Sequence, residues 1–318
     1  MHTIGTPGLW LAFSLLVVIA LVIDFAVMRA GGAHKVSYKE AAIWSIAWIV
    51  LAMLFNLGLW YWLGQRGDPA LANETALQFL TGYVVEKALA IDNIFVFLLI
   101  FTRFGVSAEL QQRALMVGIL GAIVLRAILI FIGAALISRY HWILYLFGAF
   151  LVYTGIQMVR APNDETDFDS NPMLRWMRSH LRLTNEYHGS SLSVMKEGVR
   201  YFTPMFLVIM LLAVTDVIFA VDSIPAIFAI TEDPFIVLSS NVFAVLGLRA
   251  LYFLIAGMSE RFHLLNYGLA AVLVFIGTKM LIVDVWKVPI GLSLGMVAVL
   301  IGGSLVASRL IPPAEANR

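Results

Sequence analysis

The sequence predicts an all-α, polytopic membrane protein with about nine transmembrane helices and an inverted three-helix repeat. Three observations support this fold class: the chain is 61% hydrophobic and only 13% charged, apolar runs of spanning length recur along it, and two of its regions resemble each other. Soluble proteins are roughly 45–50% apolar and about 25% charged, so the composition argues against a soluble fold. The net charge of +1 gives no reason to expect a nucleic acid as a partner.

Nine apolar segments approach or exceed the length of about 20 residues that a helix needs to cross the hydrocarbon core. Their backbones are expected to be helical, because lipid offers no hydrogen-bond partners. The first segment does not resemble a cleaved signal peptide, since no Lys or Arg precedes Arg29. The predicted spans lie near residues 8–28, 41–63, 77–101, 114–137, 142–159, 203–230, 236–257, 264–283 and 289–308.

The basic residues of the loops predict the orientation, because Lys and Arg are enriched on the cytoplasmic side of a membrane protein. If the N-terminus is outside, the inner loops hold fourteen Lys and Arg residues and the outer loops hold three, namely Arg66, Arg139 and Lys287. We therefore expect a multi-pass protein of the bacterial inner membrane with a periplasmic N-terminus and a cytoplasmic C-terminus. Its partners would be the lipid bilayer and an ion, and the oligomeric state stays open.

The chain repeats itself in three places. RYHWILYLFGAFLVYTGIQM (139–158) aligns with RFHLLNYGLAAVLVFIGTKM (261–280) at an offset of 122. LRA (125–127) returns at 248–250 with an offset of 123, and EKALAIDNIF (86–95) matches DVIFAVDSIP (216–225) with an offset of 130. Each unit holds three predicted helices, so the second enters the bilayer from the opposite side. Inverted repeats of this kind are typical of secondary transporters, whose sites lie near the midplane between the repeats.

The repeat divides the chain into five parts. Residues 1–64 form two N-terminal helices and residues 75–159 form repeat 1. A cytoplasmic loop follows at 160–202, repeat 2 occupies 203–284, and 285–318 form a last helix and tail.

Five acidic residues fall within the predicted spans. One Asp at a helix centre costs about 2.5–3.5 kcal/mol, so five of them need a compensating role. All but one belong to pairs that recur between the repeats with identical spacing, which favours a shared metal site. The candidate metal ligands are Asp24, Glu86, Asp92, Asp216 and Asp222. The alternative is a structural lattice in which these acids pair with the intramembrane bases Lys87, Arg126, Arg249 and Lys279.

The spacing of the acids restricts how they can meet. Residues six apart on an ideal helix point about 120° apart, so Asp216 and Asp222 cannot hold one ion from a straight helix. We expect Pro225 to break the helix and free the carbonyl of Val221. The other supporting residues are neutral oxygen donors, which can also bond their own helix, and two arginines that orient carboxylates: Asn93, Thr215, Ser223, Arg126 and Arg249.

The ligand chemistry favours a hard divalent cation. The chain has no cysteine, and none of its six histidines lies deep in a predicted span. Carboxylate, carbonyl and water oxygens suit Mg²⁺, Ca²⁺ and Mn²⁺. The same acids could exchange protons with the metal, a hypothesis for coupling to a proton gradient. We expect no cofactor and no enzymatic activity, because no HExxH or GxGD motif and no Ser–His pair occur within the spans.

Five segments closely resemble the TerC/Alx family of membrane proteins: EKALAIDNIFVF (86–97), TDVIFAVDSIPAIFA (215–229), DPFIVLSSN (233–241), LGLRALYFL (246–254) and YGLAAVLVFIGTKMLIVD (267–284). The resemblance implies export of manganese(II) across the bacterial inner membrane, with Mg²⁺ and Ca²⁺ as weaker candidates. It also implies that the five acids named above are needed for transport. One departure occurs at Ala213, where the family usually carries Glu. Tellurite-resistance members of the family suggest a second interpretation, a membrane scaffold or stress sensor.

Overall fold

The structure is a computed structural model that describes residues 3–30, 36–140, 142–160, 177, 179–184, 186–196, 198–256, 264–286 and 288–311. Its helices are α1 Pro7–Ala30, α2 Tyr38–Gly64, α3 Pro69–Arg103, α4 Ala108–Arg139, α5 Ile143–Arg160, α6 Pro204–Phe228, α7 Pro234–Leu246, α8 Leu248–Ala256, α9 Leu265–Leu281 and α10 Ile290–Leu310. A short hairpin, β1 Ser193–Lys196 and β2 Val199–Phe202, precedes α6.

The helices confirm a mostly helical, polytopic membrane protein. Six of them, α1, α2, α4, α5, α6 and α10, are long and apolar enough to cross a bilayer, and α7 with α8 makes a seventh if this pair counts as one bent span. The other two predicted spans fall on α3, which carries Glu86, Lys87 and Asp92 within two turns, and on α9, which has only 17 residues. The count of nine spans therefore stays a prediction.

Local sequence signals fix where two of the central helices begin. The side chain of Asp68 accepts a hydrogen bond from the backbone N–H of Leu71 at 2.9 Å, and Asp233 accepts one from Phe235 at 2.9 Å. A proline follows each of these caps at the first helical position, where its missing N–H costs nothing. Asp233 also accepts hydrogen bonds from the N-terminal segment, so the start of the chain is tied to the start of α7.

A bend of 43° separates α7 from α8 at Gly247. A Cβ atom at this position would lie 2.6 Å from Nζ of Lys87 and 3.1 Å from Cβ of Trp48, so the glycine admits the side chains of α3 and α2. The Lys87 ammonium donates a hydrogen bond of 3.1 Å to the carbonyl oxygen of Ala244, in the last turn of α7. This lysine thus satisfies one of the carbonyls that a helix end leaves without a partner.

The predicted cytoplasmic loop contains secondary structure that the sequence analysis did not anticipate. Strands β1 and β2 pair antiparallel from Ser193–Phe202 to Lys196–Val199, and Gly198 in their turn has a φ of 76°, which glycine adopts without strain. The hydroxyl of Tyr187 donates to the carbonyl of Phe104 at 2.7 Å, beside the end of α3. The first part of this loop, 161–176, lies outside the described residues.

Helices α5 and α9 cross through two pairs of contacts that are equivalent under the repeat. A Cβ atom on Gly155 would lie 2.8 Å from Cγ2 and 3.1 Å from N of Val274, and one on Gly277 would lie 2.9 Å from both Cγ2 and N of Val152. Residues 155 and 277 are separated by 122 positions, and so are 152 and 274. A contact that recurs with its two partners exchanged is the property of a two-fold interface.

Candidate ion-binding site

A polar layer separates two apolar clusters in the interior. On α3, one cluster ends at Val85 and the other begins at Ala90, and Glu86 lies between them. Helix α4 changes from one cluster to the other around Arg126, and α6 does so around Asp216. We define the polar layer as Glu86, Arg126, Asp216 and Arg249, all of them buried.

Arg126 is the centre of this layer and is only 1% exposed. Its Nη2 lies 3.0 Å from Oδ1 of Asp216 and its Nε donates to Oδ2 at 3.3 Å, which makes the pair bidentate. Its Nη1 forms an ion pair with Oε1 of Glu86. The same nitrogen donates to Oδ1 of Asn241 at 3.3 Å and to Oγ of Ser223 at 3.4 Å. One guanidinium therefore joins an acid of each repeat, and bidentate contacts of this kind are the strong form of the interaction.

The site is not neutralised by Arg126 alone. The two carboxylates of Glu86 and Asp216 face one guanidinium, which leaves a formal charge of −1 among these three groups. Within the described part of the chain, the buried Oε2 of Glu86 has no hydrogen-bond partner. An unpaired buried acceptor is unfavourable by about 1–3 kcal/mol, and by more when it is charged. The acid pair, Glu86 with Asp216, therefore keeps one carboxylate oxygen without a hydrogen-bond partner among the described residues.

Space beside the acid pair is small. A cavity of about 10 Å³ touches Asp216 and is otherwise lined by residues such as Phe97, Ala122 and Leu212. This volume corresponds to roughly one water molecule. This cavity is therefore too small for a hydrated ion in this conformation.

Arg249 has a different partner from Arg126. Its Nη2 forms a buried ion pair with Oδ1 of Asp24 on α1. Its Nε is also buried and has no hydrogen-bond partner among the described residues. Asp24 is thus placed against an arginine of repeat 2, and it forms no metal-binding group with the acid pair within the described part of the chain.

The remaining predicted ligands are only partly described. Asp92 lies on α3 and Asp222 on α6, but both side chains are outside the described part of the structure. Among the described residues, no group of three His, Cys, Asp or Glu side chains could hold a metal ion. The structure therefore brings together Glu86 and Asp216, while the full set of five acids stays a prediction.

The supporting residues divide into two groups. Ser223 contacts Arg126 as described above, and Asn93 is buried on α3. Thr215 instead donates its hydroxyl hydrogen to carbonyls of its own helix, at 2.8 Å to Leu211. The side chain of Val221 is half exposed on the outer surface of the bundle.

The predicted helix break at Pro225 is wrong. Helix α6 continues through this proline to Phe228. Proline removes one backbone hydrogen bond and does not by itself unwind a helix that neighbouring helices hold in place. Because Pro225 lies in the last turn, little helix remains after it to be redirected. The actual discontinuity is at Gly247, in the other long span of repeat 2.

Two residues of the site were not assigned a role from the sequence. Asn241 is fully buried and contacts Arg126, and its signal was a polar SSN triplet (239–241) inside an apolar run. Lys87 was identified only as an intramembrane base, but it binds the carbonyl at the α7–α8 bend. That contact depends on tertiary packing, so the spacing of residues along the sequence does not predict it.

Comparison with known proteins decides the family. The sequence model of the family described as "Integral membrane protein TerC family" matches residues 71–316. The chain belongs to the TerC family. This match includes the whole polar layer but neither α1 nor Asp24. No solved structure matches the chain.

Bacterial TerC relatives are similar over nearly the full length. Proteins of Shigella flexneri and Escherichia coli strain K12, both named "Putative membrane-bound redox modulator Alx", are 54% identical over 297 residues, which cover 93% of this chain and 93% and 92% of theirs. A Myxococcus xanthus relative, "Uncharacterized membrane protein STKORF319", is 44% identical over 306 residues, 96% of this chain and 93% of its own. The chain is therefore a multi-pass integral membrane protein with bacterial homologues.

Proposed function

We propose that this protein is a secondary transporter that exports divalent manganese across the bacterial inner membrane. The observation that carries the proposal is the acid pair: one carboxylate from each repeat, both on the same guanidinium, between two apolar clusters. A site shared by both halves is what alternating access requires.

The packing of the helices supports the inverted repeat and the nine spans that belong to this proposal. The α5–α9 crossing repeats its contacts with the partners exchanged. In addition, α3 packs along α7, and the equivalent helices of the other unit, α6 and α4, also pack along each other. The basic residues of the loops favour a periplasmic N-terminus.

Charge gives a physical reason for ion binding at the acid pair. Two carboxylates with one guanidinium carry −1, whereas two carboxylates with one divalent cation are neutral. In a layer of low dielectric this difference is large, so a divalent ion can displace Arg126. The oxygens of Asn241 and Ser223, which now contact the arginine, would then be neutral ligands. Protons would take the place of the metal on its release, which couples export to the proton gradient.

The choice of manganese combines ligand chemistry with family. Oxygen-only ligands suit Mn²⁺, Mg²⁺ and Ca²⁺ alike, and the resemblance to TerC/Alx proteins favours Mn²⁺ among them. Sulfur ligation plays no part, because the chain has no cysteine. The same absence excludes thiol–disulfide exchange by this chain, so the redox role in the name of its relatives does not transfer by that chemistry.

The test is manganese accumulation in bacteria that lack other manganese exporters. Cells that express Glu86→Gln or Asp216→Asn should hold as much manganese as cells without the protein. Glu109→Gln is the matched control, because Glu109 lies exposed in the first turn of α4, and it should export like the intact chain. Accumulation that is equal in Glu86→Gln and intact cells would show that the acid pair is not the transport site.

A second candidate function is a membrane scaffold or stress sensor with a fixed lattice of ion pairs. It is favoured by the pairing of Glu86, Asp216 and Asp24 with arginines and by the small cavity beside Asp216. The double variant Asp24→Asn/Arg249→Gln removes both members of one pair without changing the charge. If the ion pairs form a fixed lattice, the double variant should keep the activity of the intact chain. If the protein is a transporter, the double variant should lose export.

A further inference from the structure

The two intramembrane arginines are equivalent positions of the repeat. Arg126 and Arg249 are the central residues of the two LRA segments, at an offset of 123. Glu86 and Asp216 are also equivalent, at an offset of 130. In transporters built from inverted repeats, the two halves can exchange conformations, and this exchange produces the opposite-facing state. After the exchange, Glu86 and Asp216 have taken each other's places, and Arg249 has taken the place of Arg126.

We propose that Asp24 holds Arg249 away from the acid pair in this conformation, and that Arg249 replaces Arg126 on the acid pair in the opposite-facing state. The proposal rests on the proposed transport function, and it gives Asp24 the role of a positioning residue and not of a metal ligand. Asp24 suits this role because α1 lies outside both repeats. Because Asp24 has no equivalent in the repeats, it can pair with one of the two arginines and not with the other.

Unsatisfied atoms on both sides support the exchange. Among the described residues, the buried atoms without a hydrogen-bond partner include the acceptor Oε2 of Glu86 and two donors, Nε of Arg249 and Nδ2 of Asn241. Each is unfavourable as long as it stays unpaired. Contact between Arg249 and the acid pair would satisfy Oε2 and Nε, and Asp24 is the described group that holds Arg249 elsewhere.

The neutral partners of Arg126 show why this conformation is preferred. Ser223 and Asn241 both accept from Arg126. Their equivalents at offsets of 130 and 123 are Asn93 and Gly118. Arg249 on the acid pair would therefore find one polar side chain, from Asn93, and no side chain at Gly118. Arg249 can therefore bind at the acid pair, but with one neutral oxygen partner fewer than Arg126 has.

This exchange explains how a charged acid pair can stay buried throughout a transport cycle. A buried carboxylate that loses its counter-ion strongly destabilises the structure around it. With two arginines in succession, the pair keeps a cationic partner throughout: Arg126 in one state, Arg249 in the other, and the divalent ion between them. The ion is then exported only when it is bound during the exchange.

The test measures which side of the membrane reaches the site. Ala122 lines the cavity beside Asp216, and because the chain has no cysteine, Ala122→Cys introduces a single reactive thiol. A membrane-impermeant methanethiosulfonate reagent is applied to right-side-out and to inside-out vesicles without manganese. The ratio of the two labelling rates reports the balance of the two states.

Asp24→Asn should shift this ratio about tenfold, because loss of the ion pair releases Arg249 to the acid pair. Asp24→Glu keeps the carboxylate and is the matched control, with a ratio within about twofold of the intact chain. Asp24→Asn/Arg249→Gln should return the ratio to the intact value or beyond it. A folded Asp24→Asn with an unchanged ratio, or a shift that persists in the double variant, overturns the proposal.

A second pair of variants decides the question if Asp24→Asn does not fold. Asn241→Ala weakens the contact of Arg126 and should shift the ratio in the direction expected for Arg249 on the acid pair. Asn93→Ala weakens the exchanged site and should shift it in the opposite direction. Shifts of the same sign contradict the proposal. Labelling is measured without manganese. If the ratios shift as expected but the protein does not transport manganese, the assignment of the ion is wrong and the exchange of arginines stands.

Discussion

Arg126 and Arg249 have the same sequence neighbours and different surroundings. Arg126 binds two carboxylates and two neutral oxygens, all on helices of the two repeats. Arg249 binds one carboxylate, from α1, and keeps one donor without a partner among the described residues. The difference teaches that two arginines with the same sequence neighbours can have different partners, and that the partner of Arg249 comes from α1, which lies outside the two similar regions.

Electrostatics explains why the two arginines do not share the acid pair. A second guanidinium at the same two carboxylates would neutralise the remaining charge but would also lie close to the first, where like charges repel strongly in a medium of low dielectric. Asp24 removes this conflict by offering Arg249 a carboxylate of its own. Two arginines at equivalent sequence positions therefore have different surroundings in this conformation.

The largest effect is expected from removal of each arginine in turn. Arg126→Gln leaves two carboxylates buried without a counter-ion and should lower the free energy of unfolding by about 3–5 kcal/mol. Arg249→Gln leaves one and should lower it less, by about 3 kcal/mol, at the lower end of the same range. The measurement is thermal unfolding of the purified variants in mild detergent. Equal losses, or a larger loss for Arg249→Gln, would contradict the difference between the two environments.

The second effect tests whether the packing of the two units is equivalent. Gly155→Ala and Gly277→Ala place a Cβ atom 2.7 Å from the carbonyl oxygen of Ala270 and 2.6 Å from that of Gly148. Both should destabilise the protein by a similar amount, about 1–3 kcal/mol, because neither backbone can yield easily. Gly121→Ala on α4 is the control, since a Cβ atom there meets nothing within 4 Å. A loss in one variant only would break the two-fold relation of α5 and α9.

The smallest effect concerns a neutral partner of Arg126. Ser223→Ala removes an acceptor at 3.4 Å from Nη1, while the two carboxylates keep the guanidinium in place. We expect a loss of about 0.5–1.5 kcal/mol in the same unfolding measurement. A loss as large as that of Arg126→Gln would mean that the hydroxyl, and not the carboxylates, holds the arginine.

The sequence predicted which residues belong to this site better than it predicted which of them contact each other. Composition, repeat offsets and the cost of buried charge identified Glu86, Asp216 and both arginines. They did not predict that Arg126 forms ion pairs with both acids. Equivalent positions imply equivalent contacts, and only tertiary packing makes the contacts of the two arginines differ. The bend at Gly247 and the hairpin before α6 were missed for a similar reason. The bend depends on the side chains of Lys87 and Trp48 that approach Gly247, and the segment before the hairpin contacts the end of α3 through Tyr187.

Manganese flux through the purified protein tests the central claim most directly, that the acid pair is a transport site for this ion. Liposomes with reconstituted protein are loaded with a manganese-sensitive dye, and uptake is followed with and without an imposed pH gradient. The intact chain should move manganese, faster with the gradient, and Glu86→Gln and Asp216→Asn should not. Absence of flux through the intact chain, or undiminished flux through Glu86→Gln, would contradict the claim.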